Sequence, residues 1–233
     1  MRRVAGPLCA AALAPGVVLA SPIGVPAAGA DDCPDIEVVF ARGTDEPPGV
    51  GAVGQAFINS LRSKVGGRSV GQYAVNYAAL PTFLRVADGV NDANNHVNVM
   101  IQNCPATRLV LGGYSQGAAV MDYLVGANPG SSPGKVLRIP GLNADPGAGF
   151  GVDSAPPPLP PEAGDHVAAV AVFGNPADKL TGPVTGVPVY GPRTIDLCNP
   201  GDGICGSGSN QAAHNQYAGG PANQAASFAA GLL

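Results

Sequence analysis

Short apolar runs alternate along this chain with segments of helical periodicity, and this alternation limits the fold more than any other feature of the sequence. It is typical of parallel strands that are joined by helices. Most of the runs lack polar residues at alternate positions, which suits strands buried on both faces of a sheet. Five strands are predicted, the last weakened by an internal Gly-Pro pair, at residues 36–41, 73–77, 108–112, 167–173 and 189–197.

Four segments predict the helices that cover this sheet. Apolar residues recur at every fourth position between residues 53 and 65, and a similar stripe extends over residues 86–100. Residues 116–125 and 222–233 predict two more helices. The stretch 126–164 differs, because it holds eight Gly and nine Pro in 39 residues with almost no periodicity. We interpret it as a long loop that is disordered or loosely packed, with a cover over an active site as the alternative.

The first thirty residues have the features of a secretory signal. Arg2 and Arg3 provide a positive start, residues 4–20 are mainly apolar, and Ala-Gly-Ala at 28–30 suits a cleavage site. The remaining chain, residues 31–233, has a length that one domain can fill. No later stretch approaches the roughly 20 apolar residues of a spanning helix. We therefore expect a secreted, extracellular or cell-wall-associated protein without stable membrane insertion.

Charge and cysteine content narrow the range of partners and cofactors. Without the signal the chain carries a net charge of −6, which offers no basic surface to nucleic acid. Four cysteines remain, and an even number in an exported chain indicates disulfides. Of three formal pairings, the simplest closes the short loop between Cys198 and Cys205 and leaves Cys33 with Cys104; free thiols are the alternative. No cysteine pair has zinc-finger spacing, and neither a metal nor a cofactor is predicted.

A nucleophile is predicted at Ser115. The pentapeptide GYSQG at 113–117 matches the G-x-S-x-G elbow, in which a serine lies on a strained turn between a strand and a helix. The pattern recurs around Ser69 and Ser132, so the context must decide. Ser69 follows a helix and precedes a strand, and Ser132 lies in the Gly/Pro-rich loop. Only Ser115 has a strand before it and a helix after it, whose N-terminus favours an oxyanion nearby.

A serine nucleophile needs a histidine to accept its proton and a carboxylate to orient that histidine. His96 falls within a predicted helix beside several asparagines, and we expect a solvated surface residue. His166 lies at the amino end of a strand, whereas sites in such sheets form beyond the carboxyl ends. His214 follows the last strand in a polar loop, and it fits the chain order serine, acid, histidine. We therefore predict His214 as the base.

Three acidic residues near strand ends lie between the serine and this histidine, namely Asp178, Asp196 and Asp202. Asp202 is preferred, because a short crosslinked loop would hold its carboxylate with little freedom. Asp178 is the second choice, and Asp196 is expected to point from a strand. The oxyanion needs two donors: the amide of Gln116 is one, and Thr44, directly after the first strand, can supply the other.

These residues together resemble the cutinase family of small serine esterases. The likeness rests on the strand ending in Ala-Arg-Gly-Thr at 41–44, the GGYSQG segment at 112–117, the loop from Cys198 to Cys205 and His214. The resemblance implies a three-layer α/β/α sandwich of the α/β-hydrolase type around a five-stranded parallel sheet. It also implies a triad of Ser115, Asp202 and His214, an oxyanion hole at Thr44 and Gln116, and disulfides that join Cys33 to Cys104 and Cys198 to Cys205.

The expected function is hydrolysis of short- to medium-chain acyl esters by a monomeric enzyme, with lipid, phospholipid or cutin-like polyester as natural substrates and transient contact with lipid surfaces. An acetylxylan or other carbohydrate esterase is the near alternative, since the same fold and triad serve both activities. A secreted surface protein that keeps a hydrolase scaffold without catalysis is the alternative from another class.

Overall fold

The computed structural model describes residue 1 and residues 33–127, 155–176 and 183–233. This part of the chain forms ten strands and helices. They are β1 (Ile36–Ala41), α1 (Gly51–Arg62), β2 (Val70–Ala74), α2 (Val86–Asn103), β3 (Arg108–Tyr114), α3 (Gln116–Leu124), β4 (Val167–Phe173), β5 (Thr194–Leu197), α4 (Gln211–His214) and α5 (Gly220–Ala230). Short 3-10 helices span Pro161–Asp165, Val184–Gly186 and Gly191–Arg193.

The strands form one parallel sheet in the order β2-β1-β3-β4-β5. Every residue of β1 and β4 is buried, and so is all of β3 except its first residue. This burial explains the unbroken apolar runs, because helices cover both faces of the central strands. The expected α/β fold with a five-stranded parallel sheet is confirmed.

Side chains on each strand point alternately into two apolar layers. One layer contains Val39 and Leu111 and packs against α2 and α3, whereas the other contains Phe40 and Val110 and packs against α1 and α5. Phe40 fits because two neighbours lack a side chain: a Cβ on Gly54 or on Gly112 would lie 2.6 Å from its ring. Apolar packing therefore covers both faces of the sheet.

Several element boundaries differ from the sequence-based expectations. β2 begins at Val70 rather than at residue 73, because it is an edge strand whose pairing with β1 needs no buried apolar run. The predicted strand 189–197 is wrong in its first half, where Gly191 and Pro192 form a 3-10 helix. Within the predicted loop 126–164, residues 128–154 lie outside the described residues, while Leu159 and Ala163 are buried in the core.

Both expected disulfides are present. Cys33 joins Cys104 with their Cα atoms 5.6 Å apart, and Cys198 joins Cys205 across a sequence separation of 7 with Cα atoms 5.7 Å apart. The first ties the start of β1 to the end of α2, and the second closes the loop after β5. Among the helices that the structure describes, none combines the length and apolarity needed to cross a bilayer. The expected signal segment lies outside the described residues.

Candidate active site

The turn from β3 into α3 forces the backbone of Ser115 into an unusual conformation. Its φ is +53° and its ψ is −115°, a backbone region that residues other than glycine rarely adopt. The flanking glycines permit this turn, because a Cβ at Gly113 would lie 2.2 Å from the carbonyl oxygen of Gly117. Ser115 therefore stands at the carboxyl edge of the sheet, directly before the N-terminus of α3.

Three of the predicted side chains form a continuous chain of hydrogen bonds. The Ser115 Oγ lies 2.9 Å from Nε2 of His214, and Nδ1 of the same ring lies 2.8 Å from Oδ2 of Asp202. The three residues come from positions up to 99 apart in the sequence. They are nearly or wholly buried, with exposed fractions of 7% for the serine, 6% for the histidine and 0% for the aspartate.

The carboxylate of Asp202 is held on both oxygens. Oδ1 accepts the amide of Ile204 at 2.7 Å, while Oδ2 accepts from His214 and from the hydroxyl of Tyr217 at 2.6 Å. Burial alone would raise the pKa of Asp202, but the hydrogen bonds from Tyr217, His214 and the Ile204 amide, with the charge of the histidine, outweigh it and lower this pKa below its ordinary value. The group therefore stays ionised beside the imidazole.

His214 ends the short helix α4 rather than lying in an open loop as expected. Asn210 caps this helix, its side-chain oxygen accepting the amides of Ala212 and Ala213. The hydroxyl of Tyr114 donates to the carbonyl of His214 at 2.8 Å. The Asn199 side chain donates to the carbonyl of Ala213 at 2.8 Å and thereby joins the disulfide loop to α4. The residues around His214 are therefore held by hydrogen bonds from Tyr114, next to the elbow, and from Asn199, in the disulfide loop.

The segment after β1 crosses directly over the elbow. A Cβ at Gly117 would lie 2.0 Å from the carbonyl oxygen of Ala41 and 2.6 Å from that of Arg42, so the two backbones are in contact. Thr44 is half-buried and follows in this segment. The amide of Gln116 starts α3, and its side chain donates to the carbonyl of Leu80 at 2.7 Å. Both residues that were predicted for the oxyanion hole therefore belong to segments that meet at Gly117, two residues after Ser115.

Two charged residues for which the sequence predicted no role, Arg42 and Glu46, form hydrogen bonds that hold the segment after β1 in place. Arg42 is buried and donates to the carbonyls of Glu46 at 2.8 Å and Tyr77 at 2.6 Å. The carboxylate of Glu46 accepts the amide of Gly43 at 2.7 Å and the amide of Ala52, at the start of α1, at 2.9 Å. The spacing of an arginine and a glutamate four residues apart at a strand end was the available signal.

The rejected candidates occupy other positions. His96 is not the solvated residue that was expected: its ring is half-buried, stacks on Tyr73 with 3.5 Å between ring centroids, and lies 3.0 Å from the carboxylate of Glu37. His166 directly follows the 3-10 helix Pro161–Asp165 and precedes β4. The serine at 69 bonds to the carboxylate of Asp35 at the opposite edge of the sheet.

Among the alternative acids and serines, Asp196 lies on β5, where the side chain of Asn175 donates to it at 3.2 Å. Asp178 and Ser132 lie outside the described residues. Of the residues that the structure describes, Cys198, Asp202 and Cys205 form the one group with metal-ligand spacing. Its two sulfurs are bonded to each other, so it does not offer thiolate ligands.

An elbow serine, an imidazole and an ionised buried carboxylate at the carboxyl edge of a parallel sheet are the arrangement of α/β serine hydrolases. The chain belongs to one family within that class: the cutinase family model matches residues 32–233. It is accordingly an ester hydrolase of the serine type.

Individual relatives agree with this assignment. The chain is 49% identical to the phospholipase Culp4 of Mycobacterium tuberculosis, covering 97% of this chain and 90% of the relative, and 41% identical to the carboxylesterase Culp1 of the same species, covering 99% and 95%. Among solved structures, a Trichoderma reesei cutinase in complex with a phosphonate inhibitor has a TM-score of 0.59 at 28% identity, covering 86% of this chain and 77% of the other. An acetylxylan esterase has a TM-score of 0.66 at 25% identity, covering 86% and 99%.

Proposed function

We propose that this protein is a secreted esterase that cleaves short- to medium-chain acyl esters through an acyl-enzyme on Ser115. The observation that carries the proposal is the 2.9 Å contact between the Ser115 Oγ and Nε2 of His214, backed by the 2.8 Å contact from Nδ1 to Asp202. A histidine within this distance can accept the hydroxyl proton as the oxygen attacks.

In the proposed mechanism the Ser115 Oγ attacks the ester carbonyl while His214 takes its proton. The imidazolium then donates that proton to the departing alcohol, which leaves an acyl-serine. Water attacks the acyl carbon while His214 takes its proton, the bond from the acyl carbon to the Ser115 Oγ breaks as the imidazolium returns that proton to the oxygen, and the carboxylic acid is released. Asp202 holds the ring so that Nε2 faces the serine and stabilises the positive charge that forms.

The negative charge on the carbonyl oxygen would be met by backbone amides of Gln116 and Thr44, with the Thr44 hydroxyl as a further donor. The first amide lies at the N-terminus of α3, where the helix dipole favours an anion. The second lies in the segment that Arg42 and Glu46 hold against the elbow. No metal or cofactor is required for this chemistry, because all its proton transfers have a partner among these residues.

Lipid or phospholipid esters are the proposed substrates. Leu80, whose carbonyl accepts the side chain of Gln116, is 46% exposed, and Leu84, four residues further along the chain, is 42% exposed. An exposed leucine in contact with the residue that follows Ser115 suits an acyl chain or a lipid surface better than a carbohydrate. The phospholipase activity in the name of a relative at 49% identity agrees with this choice. We further propose that residues 1–30 are a cleaved signal and that residues 31–233 form a single catalytic domain that acts as a monomer.

An acetylxylan esterase activity is the second candidate, favoured by the likeness to a solved acetylxylan esterase. A panel of p-nitrophenyl esters from acetate to palmitate, together with phospholipid and acetylated xylan, distinguishes the two activities. Turnover of butyrate, longer esters and phospholipid supports the proposal. Turnover confined to acetate and acetylated xylan supports the alternative.

Labelling with a phosphonate ester tests the mechanism and the non-catalytic alternative together. We expect a single addition at Ser115, and loss of both labelling and turnover in Ser115→Ala. Ser69→Ala is the matched control, because it removes a serine of the same G-x-S-x-G pattern and should retain both properties. Normal turnover in Ser115→Ala would contradict the assignment, and failure of the wild-type protein to label or turn over any ester would favour a non-catalytic scaffold.

A further inference from the structure

A tyrosine hydroxyl that the mechanism above does not use lies directly against the proposed acid. Tyr217 is fully buried, and its hydroxyl lies 2.6 Å from Oδ2 of Asp202. This is the same oxygen that lies 2.8 Å from Nδ1 of His214. One carboxylate oxygen is therefore shared between a phenol and the imidazole of the base.

The neighbours of the Tyr217 hydroxyl determine the direction of this hydrogen bond. The amide of Asn199 donates to the phenol oxygen at 2.8 Å, so that oxygen is an acceptor there. The Cys205 sulfur at 3.3 Å has no proton, because it is bonded to Cys198. An ionised carboxylate can only accept. The phenol proton is therefore directed at Asp202, and burial together with this bond raises the pKa of Tyr217 above its ordinary value.

The ring of Tyr217 cannot turn away from the acid. Its centroid lies 5.8 Å from that of Tyr114, 6.2 Å from that of Phe173 and 6.2 Å from that of His214. A Cβ on Gly174 would lie 3.0 Å from the Tyr217 ring and 2.9 Å from the imidazole. Close packing on several sides keeps the phenol at a constant distance from the carboxylate.

Resting on the proposed function, we propose that Tyr217 is a positioning residue that sets the basicity of His214 by donating a hydrogen bond to Asp202. A charge-assisted hydrogen bond draws negative charge toward the phenol. The imidazolium form of His214 then receives less stabilisation from the shared oxygen. The base is consequently unprotonated, and active, at lower pH than it would be beside a carboxylate without this donor.

Other titratable groups face the same cluster and remain unchanged in the test. Tyr114, on the elbow side, donates to the backbone of His214, and burial with the charges of Glu46 and Asp202 raises its pKa. Glu46 lies in the segment after β1. Asp196, on β5, accepts from Asn175 instead. A change that follows only from substitution at Tyr217 can therefore be attributed to its hydroxyl.

The test compares the pH dependence of kcat/KM for the mature protein carrying either Tyr217→Phe or 3-fluorotyrosine at position 217. Phenylalanine removes the donor, so the acidic limb of the profile should move to higher pH by roughly 0.5–1 unit, which lowers activity about 3–10-fold on that limb. The fluorinated phenol is a stronger acid and a stronger donor, so its acidic limb should move to lower pH. Tyr190→Phe is the control, since Tyr190 is also buried but its hydroxyl has no hydrogen-bond partner in the described part of the chain.

Shifts of the acidic limb in opposite directions in the two variants support the proposal. A purely structural role would shift this limb in the same direction in both variants or leave it unchanged in both. An unchanged acidic limb in both variants, or shifts of the same sign, would overturn it. If Tyr217→Phe does not fold, the fluorinated protein alone decides by the sign of its shift. Phosphonate labelling of Ser115 in the wild-type protein distinguishes failure of the proposed function from failure of the proposed role of Tyr217. Absent labelling contradicts the proposed function. Normal labelling together with an unshifted acidic limb in both variants contradicts only the role of Tyr217.

Discussion

Replacement of Gly117 by alanine should disable the site through the backbone rather than through any reacting group. The added Cβ would lie 2.0 Å from the carbonyl oxygen of Ala41, 2.5 Å from its carbonyl carbon and 2.6 Å from the carbonyl oxygen of Arg42. Non-bonded atoms of this kind rest at about 3.5 Å, so the two segments must separate by at least roughly 1 Å. Since the obstructing atoms are backbone, no rotation of a side chain can relieve the clash.

The displaced segment leads to Thr44, the proposed second oxyanion donor, so catalysis should suffer more than folding. A misplacement of about 1 Å costs on the order of 10²-fold in rate, and loss of one oxyanion donor costs about 10²–10³-fold. Overpacking destabilises a fold by roughly 1–3 kcal/mol, and alanine in a helix recovers up to about 1 kcal/mol relative to glycine. We expect a folded protein whose kcat is reduced about 10²–10³-fold.

The assay combines p-nitrophenyl butyrate kinetics with thermal unfolding and with the rate of phosphonate labelling. Gly186→Ala is the matched control, because a Cβ at Gly186 would meet nothing within 4 Å, and its kcat should equal that of the wild type. A Gly117→Ala protein that unfolds normally and keeps wild-type kcat would refute the idea that contact between these two backbones maintains the oxyanion geometry.

Three further predictions concern Asp202, the contact between His96 and Glu37, and the loop closed by Cys198 and Cys205. Asp202→Asn should lower kcat by about 10⁴-fold. Because the pKa of Asp202 is lowered in the folded protein, the ionised carboxylate stabilises the fold above the unfolded-state pKa, and this stabilisation is lost as the pH falls through the folded-state pKa. The difference in unfolding free energy between the wild type and Asp202→Asn should therefore shrink below about pH 4. His96→Ala should leave the buried carboxylate of Glu37 without its imidazole partner and cost about 1–3 kcal/mol in urea unfolding, with kcat unchanged. Replacing Cys198 and Cys205 together by serine should lower kcat more than removal of the other disulfide does, as measured at a temperature where both variants are folded; equal activities would contradict a supporting role for this loop.

Much of the arrangement of the candidate site could be predicted because its signals are local. A strand, a serine between small residues and a helix follow one another around Ser115, and the steric demand of that turn restricts which residues can form it. The loop that carries Asp202 is bounded by two cysteines, and His214 is the one histidine beyond the last strand. The sheet was predictable for a similar reason, since strands buried on both faces need continuous apolar runs.

The features that could not be predicted depend on residues distant in sequence. His96 was expected at the surface because its neighbours on α2 are polar, but its partner Glu37 is 59 positions away on β1. Tyr217 carries no local signal, since its contact with Asp202 exists only after the loop and α4 have packed together. The bounds of β2 and β5 were misplaced because strands at the sheet edges need less burial, and their ends are determined by pairing rather than by hydrophobicity.

The positive φ of Ser115 has a consequence for the molecule as a whole. A residue held in such a region stores about 1–3 kcal/mol, while the net stability of a domain is only about 5–15 kcal/mol. The rest of the fold must therefore supply enough favourable packing to hold the Ser115 hydroxyl beside His214. A substitution that relaxed this backbone would therefore gain stability only by moving the Ser115 hydroxyl away from His214.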